Sequence, residues 1–304
     1  MSILVTGGSG FLGRAFVQKM LEKGETVYCV YRHVMPEQEK LKCLIGDILE
    51  PDLGLKFIPR GVNSLYHLAG TVNLGSDRNG NIFKTNYQGT INVTTFCREH
   101  HIDHLFYVSS AYSKFQRNPY ERSKRAAEIA VTDSKIPLIT IFKPSIIVSV
   151  DDSVRGEHIP TFASLMMRTN HRAEIVRRKI EGTLHLPVLE PVFHFRGNPD
   201  GELNVISLDD VTSAMATIIE PGIFTLSNPN PPNVQEVASA IGEFILLKVL
   251  VVSEFNETPI EYVFARLTNA FSPYLYGNHL DSDLKECAKV DASFIHKMLE
   301  KTLL

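Results

Sequence analysis

Short β-branched runs alternate with longer helical patterns through the first half of the chain, and this rhythm restricts it to few folds. Strands are predicted at Ile3–Thr6, Thr26–Tyr31, Leu41–Ile45, Ser64–His67, Leu105–Ser109 and Leu138–Phe142. Helices are predicted at Leu12–Lys23, Asn79–Glu99 and Tyr120–Thr132, with a short turn near Leu53–Ile58. Strands joined through helices run parallel, and a parallel sheet needs helices over both faces. The expectation over residues 1–150 is therefore an α/β fold, a doubly wound parallel sheet. After Pro144 the rhythm changes. Asp151 to Gly201 reads as irregular around a basic helical stretch, Met166 to Lys179. Beyond it, strands Leu203–Ile206 and Ile223–Ser227, a helix Asp209–Ile219, a turn at Pro229, Pro231 and Pro232, and a helix from Val234 are predicted. Residues 151–304 are thus expected to form a smaller mixed lobe that binds substrate, with residues 203–219 free to return to the first domain.

The first strand runs into Thr6-Gly7-Gly8-Ser9-Gly10-Phe11-Leu12-Gly13 and then into the first helix. Gly7, Gly10 and Gly13 have the spacing of a dinucleotide cradle: a tight turn, a close backbone approach to pyrophosphate, and close helix packing. Free N–H groups and the helix dipole at that end favour an anion. In this position the motif predicts the Rossmann arrangement, with Thr6 to Gly13 lining the cofactor. The second strand ends in Tyr31-Arg32-His33, and no carboxylate follows until Glu37. A carboxylate there would meet the ribose hydroxyls of NAD, whereas Arg32, assisted by Arg14, suits a 2′-phosphate. NADP(H) is the expected cofactor, in preference to NAD(H). Asp47, in Gly46-Asp47-Ile48, is placed to meet the adenine, with a plain loop aspartate as the competing reading.

Ser109-Ser110-Ala111 closes the fifth strand, and Tyr120-Glu121-Arg122-Ser123-Lys124 follows ten residues after Ser110. Tyr120 and Lys124 are four apart and share one helix face. An ammonium beside a phenol is expected to draw the phenol below its ordinary pKa of about 10. Such a phenol exchanges a proton with a substrate oxygen while a nicotinamide exchanges hydride with the attached carbon. Ser110 would donate a hydrogen bond to the same oxygen. Ser110, Tyr120 and Lys124 are the candidate catalytic group.

With the cradle, Gly46-Asp47, His67-Leu68-Ala69-Gly70, Asn86 to Thr90, the serine pair, the Tyr120–Lys124 motif and Lys143-Pro144-Ser145 in this order, the first half of the chain resembles the extended short-chain dehydrogenases/reductases, the NAD-dependent epimerase/dehydratase-like proteins. The resemblance implies that Ile48, Leu68, Ala69, Gly70 and Thr71 lie along the cofactor with Tyr120 and Lys124. It implies that Asn86 helps to hold the active-site helix and that Pro144 and Ser145 lie near the nicotinamide. A narrower likeness, to the thioester-reductase and fatty-acyl-reductase branch, rests on Gly46 to Leu55, Pro144 to Val148, Leu226 to Pro232 and Ser272 to Leu275. It implies NADPH-dependent reduction of an acyl thioester or aldehyde. Lys143 in place of arginine and Ser149 in place of glycine depart from the family pattern. Two alternatives stay open: a nucleotide-sugar epimerase or dehydratase, and a non-catalytic NADP(H)-binding sensor or scaffold. Dehydratases of this fold carry acidic residues after the active-site hydroxyl, where this chain has Ala111-Tyr112.

Composition excludes several other classes. A net charge of −3, from 31 basic and 34 acidic residues among 304, gives no global field for nucleic acid or an anionic membrane. The longest apolar run, Phe244 to Val252, contains Lys248 and reads as a helix end and a buried strand, too short to span a bilayer. Four scattered cysteines and the lack of a basic leader predict reduced thiols and a cytoplasmic location. No metal site is expected: His100, His101 and His104 have no carboxylate or thiol at ligand spacing. Asp209-Asp210 reads as the cap of the following helix. Arg168, Arg172, Arg177, Arg178 and Lys179 read either as a solvated helix face or as a docking site for a carrier-bound substrate, on coenzyme A or an acyl-carrier protein. The sequence does not fix the oligomeric state, and a homodimer is one assembly open to it.

Overall fold

The predicted strands pair edge to edge because their alternating apolar side chains can be buried only when helices cover both faces of the sheet. The computed structural model describes residues 2–151, 158–184 and 192–303. In chain order these form β1 (Ser2–Thr6), α1 (Phe11–Glu22), β2 (Thr26–Tyr31), β3 (Leu41–Ile45), β4 (Val62–His67), α2 (Asn81–Phe83), α3 (Gly89–Glu99), β5 (His104–Val108), α4 (Pro119–Thr132), β6 (Leu138–Pro144) and β7 (Ile146–Val148). There follow α5 (His158–Leu184), β8 (Val192–Arg196), β9 (Val205–Ser207), α6 (Leu208–Thr217), β10 (Gly222–Leu226), α7 (Val234–Phe244), β11 (Lys248–Val252), α8 (Pro259–Leu267) and α9 (Ala292–Leu303). Two compact units result, one of Met1–Ser145, Leu208–Ser227 and Asp281–Glu286, the other of Ile146–Ser207, Asn228–Leu280 and Cys287–Leu304.

The first unit holds a seven-stranded sheet in the order β10-β6-β5-β4-β1-β2-β3, parallel throughout. The order reverses between β1 and β4, which is where a doubly wound sheet opens a crevice at its carboxyl edge. All five residues of β5 are buried, as a central strand covered on both faces requires. One face carries Leu4, Leu65, Val93, Phe96, Leu105 and Val131, all buried. On the sheet Tyr66 stacks on Phe106 at 4.1 Å between ring centroids, and Phe16 of α1 leans on Tyr66 at 4.7 Å. The β10 edge is sealed by the returning segment: Asp283 N–H donates to the Thr225 carbonyl and its carboxylate accepts from the Thr225 N–H at 2.6 Å.

Several predicted boundaries move. The helix expected at Asn79–Glu99 begins at Asn81 and carries a π-helical turn at Lys84–Gln88, centred on Asn86. The turn expected near Leu53–Ile58 is a 3₁₀ turn at Pro51–Gly54. Helix α6 starts at Leu208, so Asp209 and Asp210 lie in its first turn rather than at the cap, and Asp209 pairs with Lys19 at 2.5 Å.

In the second unit β7 pairs with β9 and β8 with β11, both parallel. Phe162 meets Phe195, Phe264 and Phe271 edge-on at 5.1 to 5.9 Å, forming its aromatic core. The basic stretch, expected at Met166 to Lys179 in an irregular region, lies on the longer helix α5. Arg178 pairs with Glu174 at 2.7 Å, and the side chains of Arg172 and Arg177 lie outside the described residues. The four cysteines are free thiols. Among the described residues no helix is long and apolar enough to cross a membrane.

Candidate active site

The glycine run folds as its spacing requires. Gly7 has φ +79°, and a Cβ there would lie 2.4 Å from the Ala69 nitrogen. A Cβ on Gly13 would lie 2.0 Å from the Gly7 carbonyl oxygen, so the helix closes directly on the loop. Gly10 caps α1 without a side-chain hydrogen bond, and its first turn holds no acidic residue. The α1 N-terminus thus keeps N–H groups and dipole for an external anion. Ser9 is exposed, its carbonyl held by Arg14 Nε at 2.8 Å, and Phe11 and Leu12 are half-buried in the first turn. Burial raises the Tyr31 phenol at the end of β2, opposed weakly by the charge of Arg14, and Arg32 next to it is exposed. Asp47 turns its carboxylate onto the Leu49 N–H at 2.9 Å. Ile48 is buried against Gly89, where a Cβ would meet its side chain at 2.6 Å.

At the end of β4, half-buried Leu68 and Ala69 run into exposed Gly70. A Cβ on Gly70 would stand 3.1 Å from Asn86 Oδ1 and 3.4 Å from Lys124 Nζ, so Gly70, Asn86 and Lys124 meet. The Asn86 amide is committed within the protein: its Oδ1 accepts from Thr71 N–H at 2.7 Å, and its Nδ2 donates to the Thr71 carbonyl and to Ser123 Oγ. It ties the loop after β4 to α4. In the sequence, His67 opens the His67-Leu68-Ala69-Gly70 motif at the end of β4. In the structure it is fully buried between Thr6 Oγ1 at 2.7 Å and Thr90 Oγ1 at 3.0 Å, joining the strand that feeds the cradle to α3.

Helix α4 is set by its own sequence. Asn118 caps it by accepting the Glu121 N–H at 2.9 Å, and Pro119 occupies its first position. Glu121, fully buried, holds Arg117 at 2.7 Å and fixes the loop from Ser110. Ser110 Oγ accepts from the Tyr112 N–H at 3.2 Å and lies near enough to the Tyr120 phenol to favour its ionised form. Lys124 is buried and donates to the Val108 carbonyl at 2.8 Å, 5.1 Å from the centre of the Tyr107 ring. Two segments, the end of β5 and helix α4, thus bring Ser110, Tyr120 and Lys124 to the carboxyl edge of the sheet.

One electrostatic expectation is corrected. Burial pushes the Tyr120 phenol up to about 12, opposed in part by the nearby Ser110 hydroxyl, instead of drawing it below its ordinary value. The physical reason is that the Lys124 ammonium is directed at the Val108 carbonyl, and burial brings Lys124 itself down to about 8. Burial, followed by the charge of Lys124, lowers His67 to about 3. The unfolded chain protonates His67 below its ordinary 6.5 and the folded chain does not, so stability is lost as pH falls from 6.5 towards 3. His104, bonded to Thr140 at 2.8 Å, is lowered by burial and acts in the same sense. His67→Gln is expected to remove about 1.4 kcal/mol per pH unit from this slope. Urea unfolding at several pH values between neutrality and mild acid measures it, and an unaltered slope would contradict the assignment.

Ser145 ends the constellation. It is buried, its N–H donates to the Leu226 carbonyl, and its hydroxyl has no partner among the described residues. Pro144, buried beside it, closes β6. An unmatched buried hydroxyl, an uncapped helix start and an exposed arginine at the end of β2 fit the carboxamide, pyrophosphate and ribose ends of a nicotinamide dinucleotide.

Sequence reasoning missed the carboxylates that surround His100. Asp52, from the turn after β3, meets His100 Nε2 at 2.8 Å, and Glu99 adjoins them within 4.8 Å. The three are largely exposed, and exposed acidic groups of this kind are common without an ion. Glu128 and the Arg117–Glu121 pair were also missed. The available signal was a charged residue at four-residue spacing on a helix face that already holds a buried lysine.

The model of the NAD dependent epimerase/dehydratase family matches residues 3–136, which include the cradle, Ser110, Tyr120 and Lys124. A 2-alkyl-3-oxoalkanoate reductase of Stenotrophomonas maltophilia is 33% identical over 112 residues, 36% of this chain and 33% of that protein. The chain therefore aligns with about a third of the length of this curated relative. Two solved structures share the fold. MoeE5, in complex with UDP-glucose and NAD, is 15% identical with a TM-score of 0.66, covering 100% of this chain and 99% of that one. A thiolation-reductase di-domain from an archaeal non-ribosomal peptide synthetase is 14% identical with a TM-score of 0.68, covering 99% and 89%. Over residues 3–136, which carry the dinucleotide-fold motifs, the chain matches the NAD dependent epimerase/dehydratase family, the extended short-chain dehydrogenases/reductases.

Proposed function

We propose that the protein is an NADPH-dependent oxidoreductase that reduces a carbonyl, an acyl thioester or an aldehyde, with Ser110, Tyr120 and Lys124 as the reacting group. The observation that carries this is the Ser110 hydroxyl beside the Tyr120 phenol, which burial raises further above neutrality, so that the phenol holds a proton to give. A phenol in that state donates a proton, as reduction requires. NADPH, when bound, supplies the hydride. Tyr120 gives its proton to the substrate oxygen, and Ser110 orients that oxygen with a hydrogen bond. Lys124, between Val108 and Gly70, is offered to the ribose. Residues 151–304 are the proposed substrate-binding part. The likeness to a thiolation-reductase di-domain supports a carrier-bound substrate, on coenzyme A or an acyl-carrier protein. The fold shared with MoeE5, a complex with UDP-glucose and NAD, supports nucleotide-sugar chemistry as a second reading. Ala111-Tyr112 after Ser110 favours the first reading over a dehydratase.

Cofactor choice rests on Arg32 and Arg14, near which no carboxylate follows until Glu37. Titration followed by nicotinamide fluorescence is expected to give tighter binding of NADPH than of NADH. In Arg32→Ala the NADPH Kd is expected to rise roughly tenfold with NADH unchanged. An equal loss for both cofactors would remove the 2′-phosphate assignment, and a wild-type preference for NADH would favour the nucleotide-sugar reading.

A further inference from the structure

Glu128 takes no part in the proton transfer set out above, yet it is only 4% exposed and stands where the segments of the candidate group meet. Ser109, adjacent to Ser110, donates to its Oε1, as does Ser113 from the turn that follows. Arg125 Nη1 reaches Oε2 at 3.0 Å, and Lys143 Nζ, adjacent to Pro144, lies 3.4 Å away. Lys124 precedes Glu128 by one turn on the same helix face. Burying a carboxylate is costly unless its oxygens are matched, and a neutral amide could tie the same serines. The negative charge does one thing an amide cannot: it favours a neighbouring cation in a place where burial disfavours it.

We infer that Glu128 is a positioning residue of this site, whose charge holds Lys124 as an ammonium while its serine contacts fix the strand end that carries Ser110. The inference rests on the proposed role of Lys124, but its test needs neither substrate nor cofactor. The groups facing Lys124 are Glu128 on α4, His67 from β4 and Tyr107 from β5, with Tyr120 one turn before it on the same helix. His67 and both tyrosines are neutral at neutral pH, which leaves Glu128 as the anion among them. Facing Glu128 are Arg125 on α4, Lys143 on β6 and Tyr107 on β5. Lys143 offsets part of the field of Glu128. Removing either charge therefore moves Lys124 in opposite directions.

The test is a pH titration of protein labelled with carbon-13 at the lysine Cε, with the Lys124 signal assigned by its loss in Lys124→Gln. Burial sets the starting midpoint at about 8, with Glu128 opposing it. In Glu128→Gln the midpoint is expected to fall by about one pH unit, and in Lys143→Met to rise by a few tenths. General loosening of the fold would expose Lys124 to water and raise its midpoint in both variants. An unchanged or raised midpoint in Glu128→Gln overturns the inference. Should Glu128→Gln fail to fold, Lys143→Met decides: a rise with thermal stability unchanged supports the inference, and a fall, no movement or a rise that comes only with lost stability overturns it.

Discussion

Tyr120→Phe is expected to lower NADPH-dependent reduction of its carbonyl substrate by about 10³-fold while changing the NADPH Kd by less than about twofold. The substitution removes one oxygen from a half-buried side chain on a helix whose cap, Asn118, and whose anchor, the Arg117–Glu121 pair, are untouched. What is lost is the phenolic proton, together with the hydroxyl that stands near Ser110. Phenylalanine also preserves the packing, so circular dichroism and thermal unfolding should show no more than a small change. A panel of acyl-coenzyme A thioesters and their aldehydes, followed by loss of NADPH absorbance, supplies the assay. Turnover retained within tenfold would mean that the proton comes from elsewhere. A wild-type protein that binds NADPH tightly and turns over no member of the panel would favour the sensor reading.

Gly13→Ala acts earlier, on the cradle itself. Its Cβ would have to occupy a point 2.0 Å from the Gly7 carbonyl oxygen and 2.8 Å from the Gly7 carbonyl carbon, both backbone atoms. Gly7 cannot retreat, because it is already pressed against the Ala69 nitrogen on the other side. The added methyl therefore separates α1 from the loop or forces the loop off β4. The expected cost is about 3 kcal/mol or more of stability, with NADPH binding lost from the folded fraction. Gly24→Ala is the control, since its Cβ would meet nothing closer than Lys40 Nζ at 3.6 Å; its positive φ of +82° still costs about 1 kcal/mol, so it measures backbone strain without crowding. Denaturant unfolding with and without NADPH separates the two effects. A Gly13→Ala protein as stable as wild type and still binding NADPH would show that the close approach has no energetic weight.

Much of this was legible along the chain because it is local. The alternation of strands and helices is written in the apolar periods, and the seven-stranded parallel sheet follows from it once Ile223–Ser227 is counted as a strand. The cradle was legible because a turn, a close approach and a helix start all fall within eight residues, each with its own need for glycine. Tyr120 and Lys124 were legible because helical geometry alone puts residues four apart on one face. What the sequence could not decide was the state of those groups. Lys124 reaches the Val108 carbonyl across the sheet edge, and burial keeps the Tyr120 proton in place, the reverse of what the Tyr–Lys spacing predicts. Glu128, His67 and the Asp52–His100 pair likewise depend on partners between 15 and 61 positions away. Periodicity and motif spacing act over a turn or a strand, and so the sequence by itself determined the fold class and the candidate chemistry. Desolvation and ion pairing depend on which segments become neighbours in space, and so only the tertiary structure decided the protonation and anchoring of the site.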